Sequence, residues 1–436
     1  MSVSLPSEPS ATPRTGLHYS WVVLGVTFLT LLTAAATRAT PAVFIVPYQQ
    51  EFGWSRALIS LAVSINLLLF GLIAPFGAAL VERLGARRTM MLAVTLVAVG
   101  VTLTTRMTTP WQLILLWGFV VGGGTGMTAL SLGAIVVNRW FTQRRGLAMG
   151  LLTASNATGQ LVFLPLLAKL VVDHGWRTAA FVVVGFGLLM VPLIGFFMRN
   201  YPSDVGTNRL GEPGVAEAPK PATVNPARMA IETLMQGMRR RDFWLLFGTF
   251  FVCGLSTNGL IGTHLVPACI DHGIPEVRAA SFLAVIGAFD FFGTIASGWL
   301  SDRYSNQALL FWYYGLRGLS LLYLPLAFDL QIYGLPVFAI FYGLDWVATV
   351  PPTVRLIGDC FGRERTGIYF GWVFAGHQIG AAVAALGAGI IRTDVGNYVP
   401  AFLIAGGFCL VAALMSLGIG RGRVNPATPI QAASAA

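Results

Sequence analysis

Apolar residues run along this chain in blocks of about twenty, parted by short polar stretches rich in arginine, glycine and proline. Neither the alternation of a half-buried strand nor the one-sided stripe of a soluble helix persists. A hydrocarbon layer of ~30 Å takes about 20 apolar helical residues to cross. The blocks fall at 20–47, 56–80, 89–106, 111–137, 147–170, 178–198, 243–269, 279–301, 308–327, 332–354, 367–391 and 399–420. The expectation is an all-α membrane protein with twelve transmembrane helices.

The long polar break is 200–241, where Pro202, Pro213, Pro219, Pro221 and Pro226 forbid a continuous helix. From Ala227 to Arg241 the pattern turns amphipathic, with Met229, Ile231, Leu234, Met235 and Met238. That segment is either a helix lying on the membrane's inner face, its basic end toward anionic lipid, or a plain linker. The chain thus divides into an N-terminal six-helix half (1–199), a cytoplasmic linker (200–241) and a C-terminal six-helix half (242–436).

The halves repeat. Val46, Pro47, Glu51 and Gly53 match Val266, Pro267, Asp271 and Gly273 at an offset of 220, as do Glu82-Arg83 and Asp302-Arg303. RRGLAMG ends at Gly150 and RTGIYFG at Gly371, and Asp173 and Gly175 match Asp394 and Gly396, all at 221. Six is an even number of spans, so the repeats insert the same way up, related by an axis along the membrane normal.

The net charge of +10 raises the question of nucleic acid, but the charges are not clustered on one face. They alternate by loop. Nineteen Lys and Arg fall in the loops of one side and only Arg56, Arg106, Lys169, Arg177, Arg278 and Arg392 in those of the other. This asymmetry sets topology and places both termini in the cytoplasm. A location in a bacterial inner membrane is expected, and nucleic-acid binding is not. Only 11% of residues are charged, against ~25% in soluble domains. The 50 glycines suit close helix packing in lipid. Cys253 and Cys269 lie ~24 Å apart by helical rise and cannot bridge. Cys360 and Cys409 add no Cys-x-x-Cys pair. Residues 1–18 lack the pattern of a cleaved signal. No metal-ligand cluster, nucleophile triad or phosphate-cradling loop stands out, so no cofactor, metal or enzymatic activity is expected. GGGTG (122–126) lies mid-membrane, where it serves packing better than phosphate binding.

With twelve spans, a six-plus-six repeat and a long central loop, the chain resembles the major facilitator superfamily. AALVERLGARR (78–88) is similar to that family's loop between spans 2 and 3. Leu80, Arg83, Gly85, Arg87 and Arg88 match if Ala86 is an added residue, with Ala78 for Gly and Glu82 for Asp. The second copy keeps Gly298, Leu300, Asp302 and Arg303. The resemblance implies a cytoplasmic gate of Glu82, Arg83, Arg87, Arg88, Asp302 and Arg303. The alternative is plain topology signalling by the arginines. Within the superfamily the chain looks like the monocarboxylate transporters and their oxalate/formate relatives. EFGWSR (51–56), NRWFTQRRGLAMG (138–150), the helix-5 run from Gly150 through Gly159 to Pro165, and GWR (175–177) carry that likeness. It departs in span 8: Asp290 is present, but Thr294 stands where those transporters place an arginine. The Gly-x-x-x-Gly-Pro element of drug–proton antiporters is absent from span 5.

Charge inside a bilayer marks function by default. Arg38, in the outer part of span 1, is read as a substrate-binding cation, against an arginine reaching to the outer interface. Asp290 is read as the proton-coupling acid, or else as a partner of Arg317. Arg317 and Asp345 are read as a structural ion pair, and Arg355 is a further candidate. Asn156, Asn258 and His377, on spans that the resemblance places around the cavity, are candidate substrate contacts. Asn66, Gln160, His264 and Gln378 read as helix-to-helix hydrogen bonds, and Trp346 and Tyr369 as core packing or a stacking surface. The function expected is secondary transport of a small organic anion, as proton-coupled uptake by alternating access in a monomer among lipid. A larger metabolite such as an aromatic acid or a vitamin like riboflavin, metabolite efflux, and a transporter-like sensor are the alternatives.

Overall fold

The computed structural model describes residues 17–128, 130–212, 226–362 and 366–420. Among them are twelve long helical runs: α1 (Tyr19–Phe52), α2 (Arg56–Leu84), α3 (Ala86–Thr104), α4 (Pro110–Trp140), α5 (Arg145–His174), α6 (Trp176–Phe197), α7 (Arg241–Asp271), α8 (Glu276–Ser301), α9 (Asn306–Asp329), α10 (331–361), α11 (Thr366–Val395) and α12 (Val399–Ser416). A shorter linker helix, Pro226–Met238, precedes α7. Ten of these runs hold described stretches long and apolar enough to cross a membrane; α5 and α9 complete the twelve.

Local chemistry sets the turns, and it repeats. Gly53 ends α1 and Gly273 follows α7, with φ of 68° and 77°; Gly175 and Gly396 start the last helix-to-helix turn of each half, at 82° and 84°. Only glycine takes these positive φ values without a Cβ penalty. Ser55 caps α2 by accepting the Leu58 N–H at 3.3 Å. Pro47 and Pro267 sit inside α1 and α7 at the repeated position. The fourth helix of each half is interrupted, at Thr128 in α4 and at 346–349 in α10, so the break also repeats.

Within the first six helices α1 packs on α5 and α3 on α6; within the last six α7 packs on α11 and α9 on α12. The largest pairings that join the sets are α2 with α11 and α5 with α8, and α1 also packs on the end of α7. Small residues permit these approaches. A Cβ on Gly71 of α2 would collide with Gln378 of α11, and one on Gly389 of α11 would collide with Ser60 of α2. The GGGTG segment works the same way: Cβ atoms at Gly122, Gly124 and Gly126 would come within 2.9, 2.8 and 3.0 Å of Asn66, Val97 and Ile73. It is a packing ridge against α2 and α3. Large apolar side chains such as Leu188, Phe292, Leu319, Phe341 and Leu414 are exposed around the bundle. In water such a surface would aggregate; in a bilayer it is the lipid face.

Candidate functional site

The seam between α2 and α11 carries a file of rings, midway along α2 and in the linker-side half of α11. The Arg38 guanidinium of α1 lies over the Phe70 ring of α2, 4.5 Å from its centroid. Phe70 meets Phe374 of α11 edge-on at 6.0 Å, and Phe374 stacks on His377 at 5.6 Å and 10°. His377 in turn lies 5.1 Å from Phe250 of α7 and 3.3 Å from the Gln378 amide. Two of the expected substrate contacts, Arg38 from the first six helices and His377 from the last six, thus end on one aromatic file. Phe70 stands halfway along α2, and Arg38 lies past the midpoint of α1 on the side of Phe52, the outer part of its span. Asn258 lies in a π-helical stretch of α7, Leu255–Ile261, its carbonyl accepting the Thr263 hydroxyl at 2.8 Å. Such wide turns recur at functional positions because they turn side chains and carbonyls off the helical ladder. Asn156 lies on α5, and its side chain is outside those described.

The break in α10 is held by charged side chains. Arg317 of α9, 1% exposed, donates to the Asp345 carboxylate at 2.7 Å, to the carbonyls of Asp345 and Trp346, and to the Cys253 thiol at 3.0 Å. The guanidinium therefore takes up carbonyls that the interrupted helix leaves unpaired. Asp290 of α8 supports the break from the other side, accepting the Val347 N–H at 2.9 Å and the Thr294 hydroxyl at 3.0 Å. Of the two roles open to Asp290, pairing with Arg317 is not the arrangement found; Arg317 is held by Asp345. Thr294, standing where an arginine was expected, is itself bonded to Asp290. Trp346 and Tyr369 are buried, Trp346 against Tyr342 and Tyr369 stacked on Phe361 at 4.3 Å, so both serve packing.

At the end of the bundle away from the linker, a polar network crosses from one set of six helices to the other. Arg56, at the first turn of α2, donates to both Asp271 oxygens of α7 at 2.6 and 2.7 Å. Its remaining donors reach Gln49 at 2.8 Å and the Tyr398 hydroxyl at 3.0 Å. Arg392 of α11 adds a third bond to Asp271 at 2.7 Å. Tyr398 lies 3.2 Å from His264, whose other ring nitrogen meets the Ala385 carbonyl at 2.8 Å. A carbonyl only accepts, so that nitrogen donates, and in the neutral ring the other nitrogen accepts from Tyr398. Beside the network, Glu51 at the end of α1 takes both Arg177 guanidinium nitrogens and the Trp176 indole N–H, all within 2.9 Å. A cavity of about 730 Å³ opens here, lined among others by Gln50, Glu51, Trp176 and Glu276.

Sequence reasoning missed this network. Arg56, Arg177 and Arg392 were read only as loop charges. A signal was available in the repeat: Glu51 and Asp271 are equivalent, but the residue equivalent to Arg177 is Tyr398. The first acid takes that arginine; the second has a tyrosine at that place and takes Arg392 from its own half and Arg56 from the other.

The residues expected to form a gate lie at the linker end. Arg83, Arg87 and Arg88 are exposed, and the Glu82 side chain lies outside those described. Asp302 pairs with Arg355 of α10, and Arg303 folds back over Trp299 at 4.1 Å. These described contacts stay within the last six helices. Asn66 and His264 form the helix-to-helix bonds expected of them, Asn66 to the Trp117 carbonyl at 2.8 Å. Among the described residues there is no cluster of His, Cys, Asp or Glu able to hold a metal.

A guanidinium and an imidazole from opposite sets of six helices thus lie on one aromatic file, and a polar network joins the two sets at the end away from the linker. The sequence profile of the Major Facilitator Superfamily matches residues 26–354, and the chain belongs to that family. Monocarboxylate transporter 13 of Rattus norvegicus is 29% identical over 91% of this chain and 87% of its own. An uncharacterized MFS-type transporter of Bacillus subtilis, YcxA, is 24% identical over 95% and 96%. Among solved structures, an inward-facing, unoccupied bacterial homologue of the human lysosomal transporter Spinster superposes with a TM-score of 0.72. It is 16% identical and covers 94% of this chain and 98% of its own, a likeness of fold.

Proposed function

We propose that this chain carries a small organic monoanion, monocarboxylate-like, across the membrane by alternating access, as proton-coupled uptake into the cell. The observation that carries this reading is the placement of Arg38 and His377, from opposite halves, at the two ends of one aromatic file, with Phe70 and Phe374 between them. An anion entering there sheds its water, and a guanidinium replaces that hydration with two parallel, charge-assisted hydrogen bonds. The rings of Phe70, Phe374 and Phe250 take the apolar body of the substrate. Because the contacts come from both halves, binding favours their approach, and a carrier needs that coupling between occupancy and rocking. The similarity to a monocarboxylate transporter supports the same substrate class.

In this reading the linker end is cytoplasmic, the opposite end faces outward, and the Arg56–Asp271 pair is the outer lock. Asp290 is the coupling acid. Its described hydrogen bonds come from two neutral donors, Thr294 on its own helix and the Val347 N–H at the α10 break, so protonation changes a contact on which the shape of α10 depends. An aromatic acid is the second reading, favoured by the same ring file. The test is uptake of labelled lactate and benzoate into proteoliposomes with and without an inward-directed pH gradient. Gradient-driven accumulation of either supports the proposal; gradient-independent uptake of both counts against the coupling.

A further inference from the structure

The linker helix has two faces with different uses. Ala230, Thr233 and Gly237 are buried against the bundle, with Ala230 accepting the Trp372 indole N–H at 2.9 Å and Gly237 facing Phe243 and Tyr369. Along the other face run Ile231, Met235 and Met238, exposed by 46, 55 and 46% at helical spacing of four and three. A soluble linker would not hold such a stripe, since nothing in the bundle covers it. The stripe does not end in water. Trp244, itself exposed at the start of α7, donates its indole N–H to the Met238 carbonyl at 2.8 Å, which joins the stripe to the lipid-facing side of α7. Exposed Arg239 and Arg241 flank that junction. Arg240 is engaged elsewhere, on the Cys360 carbonyl.

We infer that this helix docks on the anionic lipid surface of the membrane leaflet at the linker end. The apolar stripe enters the headgroup boundary, where an amphipathic helix sinks ~5–10 Å. Arg239 and Arg241 meet lipid phosphates; a basic residue at such a surface is worth roughly five-fold in partition. The helix packs on α2 of the first half and on α11 of the second. Lipid held on it therefore bears on the seam that opens and closes. A soluble protein partner would fit the apolar stripe equally well, but not its continuity with the lipid belt through Trp244.

The experiment uses the full chain carrying Met235→Cys and Cys360→Ser, labelled with a polarity-sensitive fluorophore and reconstituted in vesicles. The expected result is a blue-shifted label, quenched by brominated lipid and protected from iodide, in phosphatidylcholine vesicles containing phosphatidylglycerol. Protection should fall several-fold in pure phosphatidylcholine, and Arg239→Gln with Arg241→Gln should abolish the difference between the two. Quenching by iodide rather than by brominated lipid in both vesicles would overturn the proposal and leave the stripe to a soluble partner. Equal protection in both vesicles would show apolar anchoring without anionic recognition, and would also overturn it.

Discussion

Arg56 and Asp271 face each other through two parallel N–H···O bonds of 2.6 and 2.7 Å, and each belongs to a different half of the chain. Every guanidinium donor group of Arg56 is used, and the residue is buried. Asp271 itself stands at an exposed rim, so breaking this pair costs less than the ~3–5 kcal/mol typical of a fully buried one. If the pair locks the end away from the linker, Asp271→Asn should free it. A cysteine at Ser60, packed on Gly389 just inside the lock, should then react faster with an impermeant thiol reagent. Reversing the pair, with Arg56→Asp and Asp271→Arg, should slow it again. Equal labelling in all three backgrounds would show that the pair does not hold this end shut.

Arg317 and Asp345 form a pair buried on both sides, deep in the last six helices. Either single alanine leaves an uncompensated charge, so expression and thermal stability should drop by roughly the same 3–5 kcal/mol. The double variant should recover part of the loss. It will not recover all of it, because Arg317 also holds the carbonyls of Asp345 and Trp346. Equal loss in all three would argue that the carbonyl bonds, not the pair, carry the stability.

The topology reading gives a third outcome. Cysteines placed at Ser203 and Ser434 should be labelled from the cytoplasmic side alone. Labelling of either from outside intact cells would refute the orientation drawn from the arginine asymmetry.

For coupling, Asp290→Asn should abolish accumulation driven by a pH gradient yet keep substrate exchange, because exchange moves no net proton. In the proposed cycle the carboxyl would load on the acidic side and unload on the alkaline side, so wild-type uptake should rise as external pH falls. Gradient-driven accumulation by Asp290→Asn would remove Asp290 from the coupling path.

The twelve spans and the repeat were legible because each depends on a long, periodic signal: apolar length, arginine asymmetry and a nearly constant offset. Arg317 and Asp345 were legible as a pair because they fall at similar depth on neighbouring helices. The lock was not. Arg56 and Asp271 are 215 residues apart and Asp271 and Arg392 are 121 apart, and each alone reads as a loop charge. The first meeting depends on how the halves face one another and the second on how α7 packs on α11, and no local pattern encodes either. The packing of Phe70 against Phe374 was hidden for the first of these reasons.

The central claim, an anion site built on Arg38, is tested most directly by counterflow of labelled lactate and benzoate in proteoliposomes. Arg38→Lys should weaken exchange several-fold, since it keeps the charge but loses the planar fork. Arg38→Ala should abolish it, while His377→Gln should weaken it less. Saturable exchange in the wild type that vanishes in Arg38→Ala is the result the account predicts. Wild-type exchange rates in Arg38→Ala would contradict it and make the arginine a packing partner of Phe70.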